Sequence, residues 1–125
     1  MNEIFHTDKA PKALGPYSQA VKAGNLLFVS GQIPIDPATD TMVENDIALQ
    51  TRRSLLNVQA ILESAGYSLQ DVVKTTVLLS DMGNFGPMNE VYGTFFRENC
   101  PARACFAVKD LPKGALVEIE VIASK

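Results

Sequence analysis

The sequence predicts an α+β domain in which two helices pack on one face of a mixed β-sheet. Segments with alternating apolar and polar residues outnumber the two segments with helical spacing, and the two kinds are interspersed along the chain. A chain of 125 residues, 46% of them hydrophobic, is long enough for one core and too short for two ordinary domains. We therefore expect residues 1–125 to form a single domain.

Two strands are predicted near the N-terminus, over residues 17–22 and 26–33. The tripeptide Ala23-Gly24-Asn25 joins them, and glycine and asparagine tolerate the positive φ values of a tight hairpin. Pro34 ends the second strand because proline cannot donate to a ladder. Residues 36–40 are then predicted to form a turn.

The first helix is predicted over residues 46–65. Apolar residues recur there at spacings of three and four and therefore share one face, as in Leu55, Val58 and Leu62. Asn45 or Asp46 can cap the free amides at the helix start. Gly66 stands where a left-handed residue commonly follows a helix end.

The second half of the chain predicts a strand, a helix and two further strands. Over residues 73–80, β-branched and apolar residues alternate with polar ones, which is typical of a strand. A helix is predicted over residues 87–98, since proline is tolerated in a first helical turn. The final strands, 103–108 and 115–123, flank the turn 110–114 and are expected to pair as a hairpin.

Composition excludes several classes of function. A net charge of −3 and a pI near 5.0 argue against binding to nucleic acid as the main task. The longest run without charged side chains, Ala23 to Ile35, has 13 residues, whereas a membrane helix needs about 20. Two cysteines without disulfide-dense spacing favour a reduced, cytoplasmic protein. The sequence has no cluster of histidines and cysteines of the kind that predicts a zinc or iron site.

The final hairpin suggests a charged patch. Glu118 and Glu120 point to the same face of their strand, and Arg103 and Cys105 share a face of the other. In the simplest antiparallel register Arg103 lies opposite Glu120, and Cys105 lies opposite Glu118. A solvated cross-strand salt bridge is the simpler interpretation, contributing about 0–1 kcal/mol. A long cation within a segment of small and apolar residues also suits the binding of an anion.

Other candidate residues allow two interpretations each. Gly31, in Ser30-Gly31-Gln32, marks either a bulge at a strand end or a place where a ligand approaches backbone amides. Tyr17 is either a half-buried ring in a turn or part of a site. Asn89 is a common residue type near a helix start. For Cys105 we favour packing over nucleophilic catalysis, because the only histidine, His6, is remote in sequence.

Taken together, these segments resemble the Rid (YjgF-type) family of imine deaminases along essentially the whole chain. The stretch from Ala13 to Gln19 is similar to the family's N-terminal element, and Ser30-Gly31-Gln32-Ile33-Pro34 matches its SGQIP element. Pro101-Ala102-Arg103-Ala104-Cys105, followed by Val117-Glu118-Ile119-Glu120, supplies the most diagnostic spacing.

The resemblance implies a chorismate mutase-like α+β fold that forms a homotrimer, with a ligand cleft between subunits. It implies hydrolysis of 2-iminobutanoate, 2-iminopropanoate or 2-aminoacrylate to a 2-oxo acid and ammonia, without a cofactor. These imines come from pyridoxal phosphate-dependent dehydratases acting on serine or threonine. The family's functional positions are carried over here as Arg103 for the substrate carboxylate and Glu118 for the water, with the cleft lined by Tyr17, Ser30, Gly31, Asn89 and the backbone at Cys105.

The identity of the water-activating carboxylate stays open at this point. The family position favours Glu118, whereas the simplest register places Glu120 nearer to Arg103. A second carboxylate nearby raises the pKa of the first and so favours acid–base work.

Two other functions remain as alternatives. A regulator that binds 2-oxo acids and acts through a protein partner needs Arg103 but no carboxylate to activate water. An endoribonuclease is disfavoured by the acidic pI, the single histidine and the lack of a basic aromatic surface.

Overall fold

The computed structural model describes residues 2–125, in which eight strands and two α-helices form. The strands are β1 (Glu3–Phe5), β2 (Ala20–Ala23), β3 (Leu26–Gln32), β4 (Ile35–Asp36), β5 (Thr41–Met42), β6 (Val72–Leu79), β7 (Ala102–Ala107) and β8 (Val117–Ser124); the helices are α1 (Ile47–Ser64) and α2 (Phe85–Phe95). None of the helices in residues 2–125 is both long and apolar enough to cross a membrane.

Six of the strands form one mixed sheet in the order β1-β2-β3-β8-β6-β7. Only the β6–β7 pair is parallel, and the other neighbours are antiparallel. The predicted α+β class with a mixed sheet is therefore confirmed. The sequence did not predict β1 or the separate β4–β5 hairpin, because strands of two or three residues are too short to show a period. The predicted turn over residues 36–40 connects β4 to β5.

The core lies between one face of the sheet and the two helices. In β8, Val117, Ile119 and Val121 are buried and alternate with Glu118 and Glu120 on the opposite face. Against them pack the predicted helical positions, which are completely buried: Leu55, Val58 and Leu62. Each such side chain contributes about 1.5–3 kcal/mol by leaving water, so this stripe determines which side of α1 meets the sheet.

The first helix, predicted over residues 46–65, is observed as α1 and differs from the prediction by one residue at each end. The Asp46 side chain accepts a hydrogen bond from the Leu49 amide at 3.0 Å, which caps α1. Gly66 has a φ of 80°, the left-handed conformation expected after the helix. The second helix begins at Phe85, two residues before the prediction, and ends at Phe95, three residues early.

The predicted hairpin between the last two strands is wrong. Strand β6 lies between β7 and β8, pairing in parallel with β7 and antiparallel with β8. Because α2 connects β6 to β7 and packs on the core, it returns the chain beside β6 in the same direction. The buried alternation of β8 suits a central position, whereas β7 is an exposed edge strand.

Candidate functional site

A cleft of about 560 Å³ lies beside the face of β8 that points away from the helices. Two carboxylates and one cation line it together with apolar and small residues. We call it the acidic cleft, and its residues are Leu14, Tyr17, Ser30, Gly31, Ile33, Pro112, Lys113, Glu118 and Glu120. Four of the predicted site residues besides Glu118 therefore meet here, although they come from a loop, from β3 and from β8.

Gly31 is the residue that admits the Glu118 side chain. A Cβ built at Gly31 would overlap Glu118 Oε2 and would stand 2.9 Å from its Cδ. The pairing of β3 with β8 shifts register between Val29 and Gln32, so the predicted bulge is present. The space above Gly31 is thus taken by a carboxylate, and a side chain at this position would push that carboxylate away.

The environment of Glu118 favours its protonated form. Partial burial raises the pKa of the Glu118 carboxyl, and the negative charge of Glu120 raises it further. Glu120 itself is exposed. A carboxyl group whose pKa is moved toward neutrality both accepts and returns a proton more readily, which is what general acid–base chemistry requires.

The loop that carries Tyr17 is held by Ser30. The Ser30 hydroxyl donates to the Ser18 carbonyl at 2.6 Å, and the Ser30 amide donates to the Gln19 carbonyl at 2.9 Å. The Tyr17 hydroxyl accepts from the Leu14 amide at 3.3 Å, while the side chain stays 52% exposed. The Ser30 hydroxyl proton is therefore used in the hydrogen bond to Ser18. Tyr17 lines the cleft from a loop that the Ser30 hydrogen bonds hold in place.

Arg103 lies in a second cluster, which we call the arginine cluster and which consists of Phe85, Asn89, Tyr92 and Arg103. Arg103 Nη1 donates to Asn89 Oδ1 at 2.7 Å. The guanidinium carbon stands 4.7 Å from the Tyr92 ring centroid and 5.5 Å from that of Phe85. Positions 85, 89 and 92 are spaced by four and three, so they share one face of α2. The cation is thus stacked and hydrogen-bonded, although it is exposed and forms no ion pair within residues 2–125.

The two clusters lie on opposite faces of the sheet. Thr75 pairs with both Arg103 and Val121, so Arg103 points to the face that bears the core. Thr76 pairs with Glu120, which points to the other face. The expectation that Arg103 and the two late glutamates converge within one chain is therefore wrong. It rested on pairing β7 with β8, and the intervening β6 changes which faces coincide.

Cys105 has the environment of a packing residue. It pairs with the buried Val77 on the core face and contacts the hydrophobic cluster. Burial raises the pKa of the Cys105 thiol, and the nearby Arg103 charge only partly offsets this. The thiol therefore stays protonated at neutral pH, as expected for packing rather than nucleophilic attack. Within residues 2–125, no group of three histidine, cysteine or acidic side chains is placed to hold a metal ion.

Sequence analysis missed the aromatic part of the arginine cluster. Tyr92 falls inside the predicted second helix, over residues 87–98, and Phe85 lies before its predicted start. The sequence does contain a signal for this aromatic part. Phe85, Asn89 and Tyr92 are spaced by four and three, which places two aromatic rings and one amide on the same face of a helix. The partner of that face could not be known without the crossover that brings β7 beside α2.

Known proteins resemble this chain over its whole length. The family model described as Endoribonuclease L-PSP matches residues 7–125. A RutC family protein of Pyrococcus horikoshii is 58% identical over 125 residues, covering 100% of this chain and 99% of its own. A protein of the conserved Rid family from Yersinia pestis superposes with a TM-score of 0.97 at 46% identity, with full coverage of both chains. Escherichia coli TdcF with bound serine superposes with a TM-score of 0.94 at 44% identity, covering 98% of each chain.

Proposed function

This chain belongs to the Rid/YjgF family, the family of the Endoribonuclease L-PSP model, and from that premise we propose that it is a 2-iminobutanoate/2-iminopropanoate deaminase. The observation that carries the proposal is the carboxyl group of Glu118, which is packed on Gly31 in a cleft with Tyr17 and has a raised pKa. The proposed reaction is hydrolysis of a 2-imino acid to a 2-oxo acid and ammonia.

Glu118 is proposed to move the proton in both halves of the reaction. As the water oxygen bonds to the imine carbon, the carboxylate takes a water proton, and the C=N electron pair moves to nitrogen. The protonated carboxyl then gives that proton to the amine nitrogen. When the substrate is the protonated imine, this transfer makes the amine an ammonium group; the C–N bond breaks, ammonia leaves with the bonding pair, and the Glu118 carboxylate takes the carbinol O–H proton as that oxygen becomes the new carbonyl. A protonated imine is already electrophilic, so one positioned proton carrier, worth about 10²–10⁴-fold, suits the step.

Arg103 is proposed to bind the substrate carboxylate. A planar guanidinium grips a carboxylate through two parallel hydrogen bonds, which a lysine ammonium cannot reproduce. In this chain one N–H group of Arg103 is given to Asn89, so Asn89 orients the cation. The TdcF structure with bound serine supports a small acid of this kind as ligand, since serine carries an α-carboxylate.

The arrangement of the two clusters supports a site shared between copies of the chain. Arg103 and Glu118 point to opposite faces of one sheet, so they meet only if a second copy brings its arginine cluster to the acidic cleft. The face bearing Glu118 also exposes Phe28 and Phe106 by 42% and 48%. Exposed aromatic side chains of this size are typical of an interface. We therefore propose a homotrimer with intersubunit sites.

The proposal is tested with a serine or threonine dehydratase as the source of fresh imine. The rate of 2-oxo acid and ammonia release is followed with and without this protein. We expect acceleration by the wild type, a loss of about 10²–10⁴-fold in Glu118→Gln, and about ten- to a hundredfold lower kcat/KM in Arg103→Ala. Glu63→Gln and Arg97→Ala change exposed charges outside both clusters and should match the wild type.

Other outcomes separate the alternatives. Tight binding of 2-oxobutanoate without imine turnover would favour the regulator. Normal activity in Glu118→Gln beside a slow Glu120→Gln would assign the proton to the other carboxylate. RNA cleavage that persists in both Arg103→Ala and Glu118→Gln would come from elsewhere than this site. The proposed reaction lies next to the dehydratases, so we expect a cytoplasmic location.

A further inference from the structure

The Arg103 guanidinium is connected to the sheet through a second route besides its own backbone. Its carbon stands 4.7 Å from the centre of the Tyr92 ring, and the Tyr92 hydroxyl shares a 2.8 Å hydrogen bond with Thr75 Oγ1. Thr75 is the residue of β6 that pairs with Arg103 in β7. The three residues are therefore linked in a ring of contacts. Arg103 pairs with Thr75 across the strands, Thr75 is hydrogen-bonded to the Tyr92 hydroxyl, and the Tyr92 ring contacts the Arg103 guanidinium.

The hydroxyl pair is buried and isolated from water. Thr75 is 0% exposed and Tyr92 is 6% exposed. Their mutual hydrogen bond is the only one that either hydroxyl forms within residues 2–125. A buried hydroxyl without a partner destabilises the fold, so the bond holds the phenol in one place. Burial also raises the pKa of the Tyr92 hydroxyl, which keeps the ring neutral beneath the cation.

The contacts that Arg103 makes within its own chain leave two of its N–H groups free to bind a ligand. Tyr92 and Phe85 contact the guanidinium with their rings, and Asn89 accepts from Nη1. Nε and Nη2 have no acceptor within residues 2–125. These two N–H groups form the parallel fork that fits a carboxylate. The direction of the fork depends on the plane of the guanidinium, and the Tyr92 and Phe85 rings contact that guanidinium.

We propose that Thr75 and Tyr92 are positioning residues that fix the plane of the Arg103 guanidinium, so that its Nε–Nη2 edge is set in advance for the carboxylate of the ligand. The proposal rests on the proposed function for the identity of that ligand. Both residues act through the guanidinium rather than on the ligand itself. A free arginine side chain loses rotamer entropy when it binds a ligand, and a guanidinium already held in place loses less of it.

The test uses Tyr92→Phe, Thr75→Val and the double variant in the full-length protein. Each single variant leaves one buried hydroxyl without a partner, whereas the double variant replaces both partners by apolar groups. We expect the free energy of unfolding to fall in each single variant and to recover in the double variant. Thr75→Ser keeps the hydroxyl and should match the wild type in ligand binding and in the order of the Arg103 side chain, although loss of the buried methyl group should lower the free energy of unfolding somewhat.

The affinity for the ligand should not recover in the double variant, although the free energy of unfolding does. The Kd for 2-oxobutanoate, measured by calorimetry, should rise about three- to tenfold in both single variants and stay raised in the double variant. KM for the imine should rise by a similar factor with little change in kcat, since the carboxylate is held equally in ground and transition states. A Kd that recovers together with stability in the double variant would make the pair merely structural and overturn the proposal.

A third measurement is independent of the proposed reaction. The ¹⁵N relaxation of the Arg103 Nε–H group reports the order of the side chain without any ligand. Its order parameter should fall in both single variants and in the double variant, and should be kept in Thr75→Ser. An unchanged order parameter in all variants would overturn the proposal even if imine hydrolysis is confirmed. If hydrolysis is absent and the order parameter falls, the proposed function fails while the positioning role stands.

Discussion

At the scale of single residues, the site depends on one position without a side chain. The Glu118 carboxylate occupies the space that a Cβ at Gly31 would need. The sequence left two interpretations of Gly31 open, a bulge or a place where a ligand approaches the backbone. The structure shows the bulge, and it also shows that the Glu118 side chain packs closely on Gly31. Such a contact between β3 and β8 joins residues far apart in sequence, so no local pattern reveals it.

Gly31→Ala should therefore remove activity with little loss of stability. The atom in the way is the end of a flexible side chain, which swings toward solvent and leaves the acidic cleft. We expect kcat to fall at least about tenfold, because the proton carrier is displaced. Gly93→Ala is the matched control, since no atom outside its own helix and chain neighbours lies within 4 Å of its added Cβ. It should gain about 0.5–1 kcal/mol in unfolding free energy with normal activity.

The pair of carboxylates leads to a pH prediction. In the proposed reaction Glu118 acts as a base in its ionised form, so kcat/KM should fall as the pH drops through its pKa, which burial and Glu120 raise above the usual range. In Glu120→Gln the neighbouring negative charge is gone, so the pKa of Glu118 falls and the acid limb moves to lower pH. One imine-generating enzyme is used throughout, and its own pH dependence cancels in the ratio of the two proteins. An acid limb that stays in place or moves upward would contradict this assignment.

At the scale of elements, α1 is the part that the sequence predicted best. Its period, its cap and its terminal glycine are all local features. The second helix is less well predicted because it lacks a side-chain cap, and its first residue, Phe85, follows a short turn of 3₁₀ helix directly. Where a helix start has no capping side chain, neighbouring residues give little indication of the boundary.

The cap of α1 can be tested separately from the chemistry. Asp46→Ala removes the acceptor of the Leu49 amide and should lower the free energy of unfolding by about 0.5–2 kcal/mol. Asp46→Asn keeps an acceptor and should stay within a few tenths of the wild type. Chemical denaturation measures both, and kcat per folded molecule should not change because Asp46 belongs to neither cluster. Equal losses in the two variants would show that the hydrogen bond is not the stabilising contact.

The last two strands show why adjacency along the chain is an unreliable guide to pairing. Consecutive strands are neighbours in roughly two-thirds of cases, which favoured a β7–β8 hairpin. Here the crossover through α2 brings β7 to one side of β6, and β8 pairs with the other side. The prediction that Arg103 and Cys105 share one face is confirmed, and so is the one for Glu118 and Glu120, whereas the predicted pairing of β7 with β8 is wrong.

At the scale of the whole molecule, the sheet separates two groups that the proposed reaction needs together. The helix-covered side contains the arginine cluster, and the opposite side contains the acidic cleft. Each chain therefore contains both halves but cannot join them by itself. Exposed Phe28 and Phe106 lie on the same side as the cleft, which supports contact with another copy there.

A mixing experiment tests this arrangement. Alone, Arg103→Ala chains should keep about 1–10% of the wild-type kcat/KM, and Glu118→Gln chains about 1% or less. When the two are co-expressed in equal amounts, about a quarter of intersubunit sites combine an intact arginine cluster with an intact acidic cleft. Activity should recover to about that fraction of the wild type. Controls are the two variants purified separately and mixed without subunit exchange. Failure to recover activity in verified mixed oligomers would mean that both groups act from one chain.

By itself, the sequence determined the features that depend on near neighbours. The class of the fold, the first helix and the approximate positions of the longer strands follow from periods of 2 and 3.6 residues and from the preferences of proline and glycine. The tertiary structure decided the order of the strands, and with it the face to which each charged side chain points. Strand order depends on how α2 packs across the core, a contact between distant parts of the chain. That packing separates Arg103 from Glu118 and sets the tyrosine beneath the guanidinium.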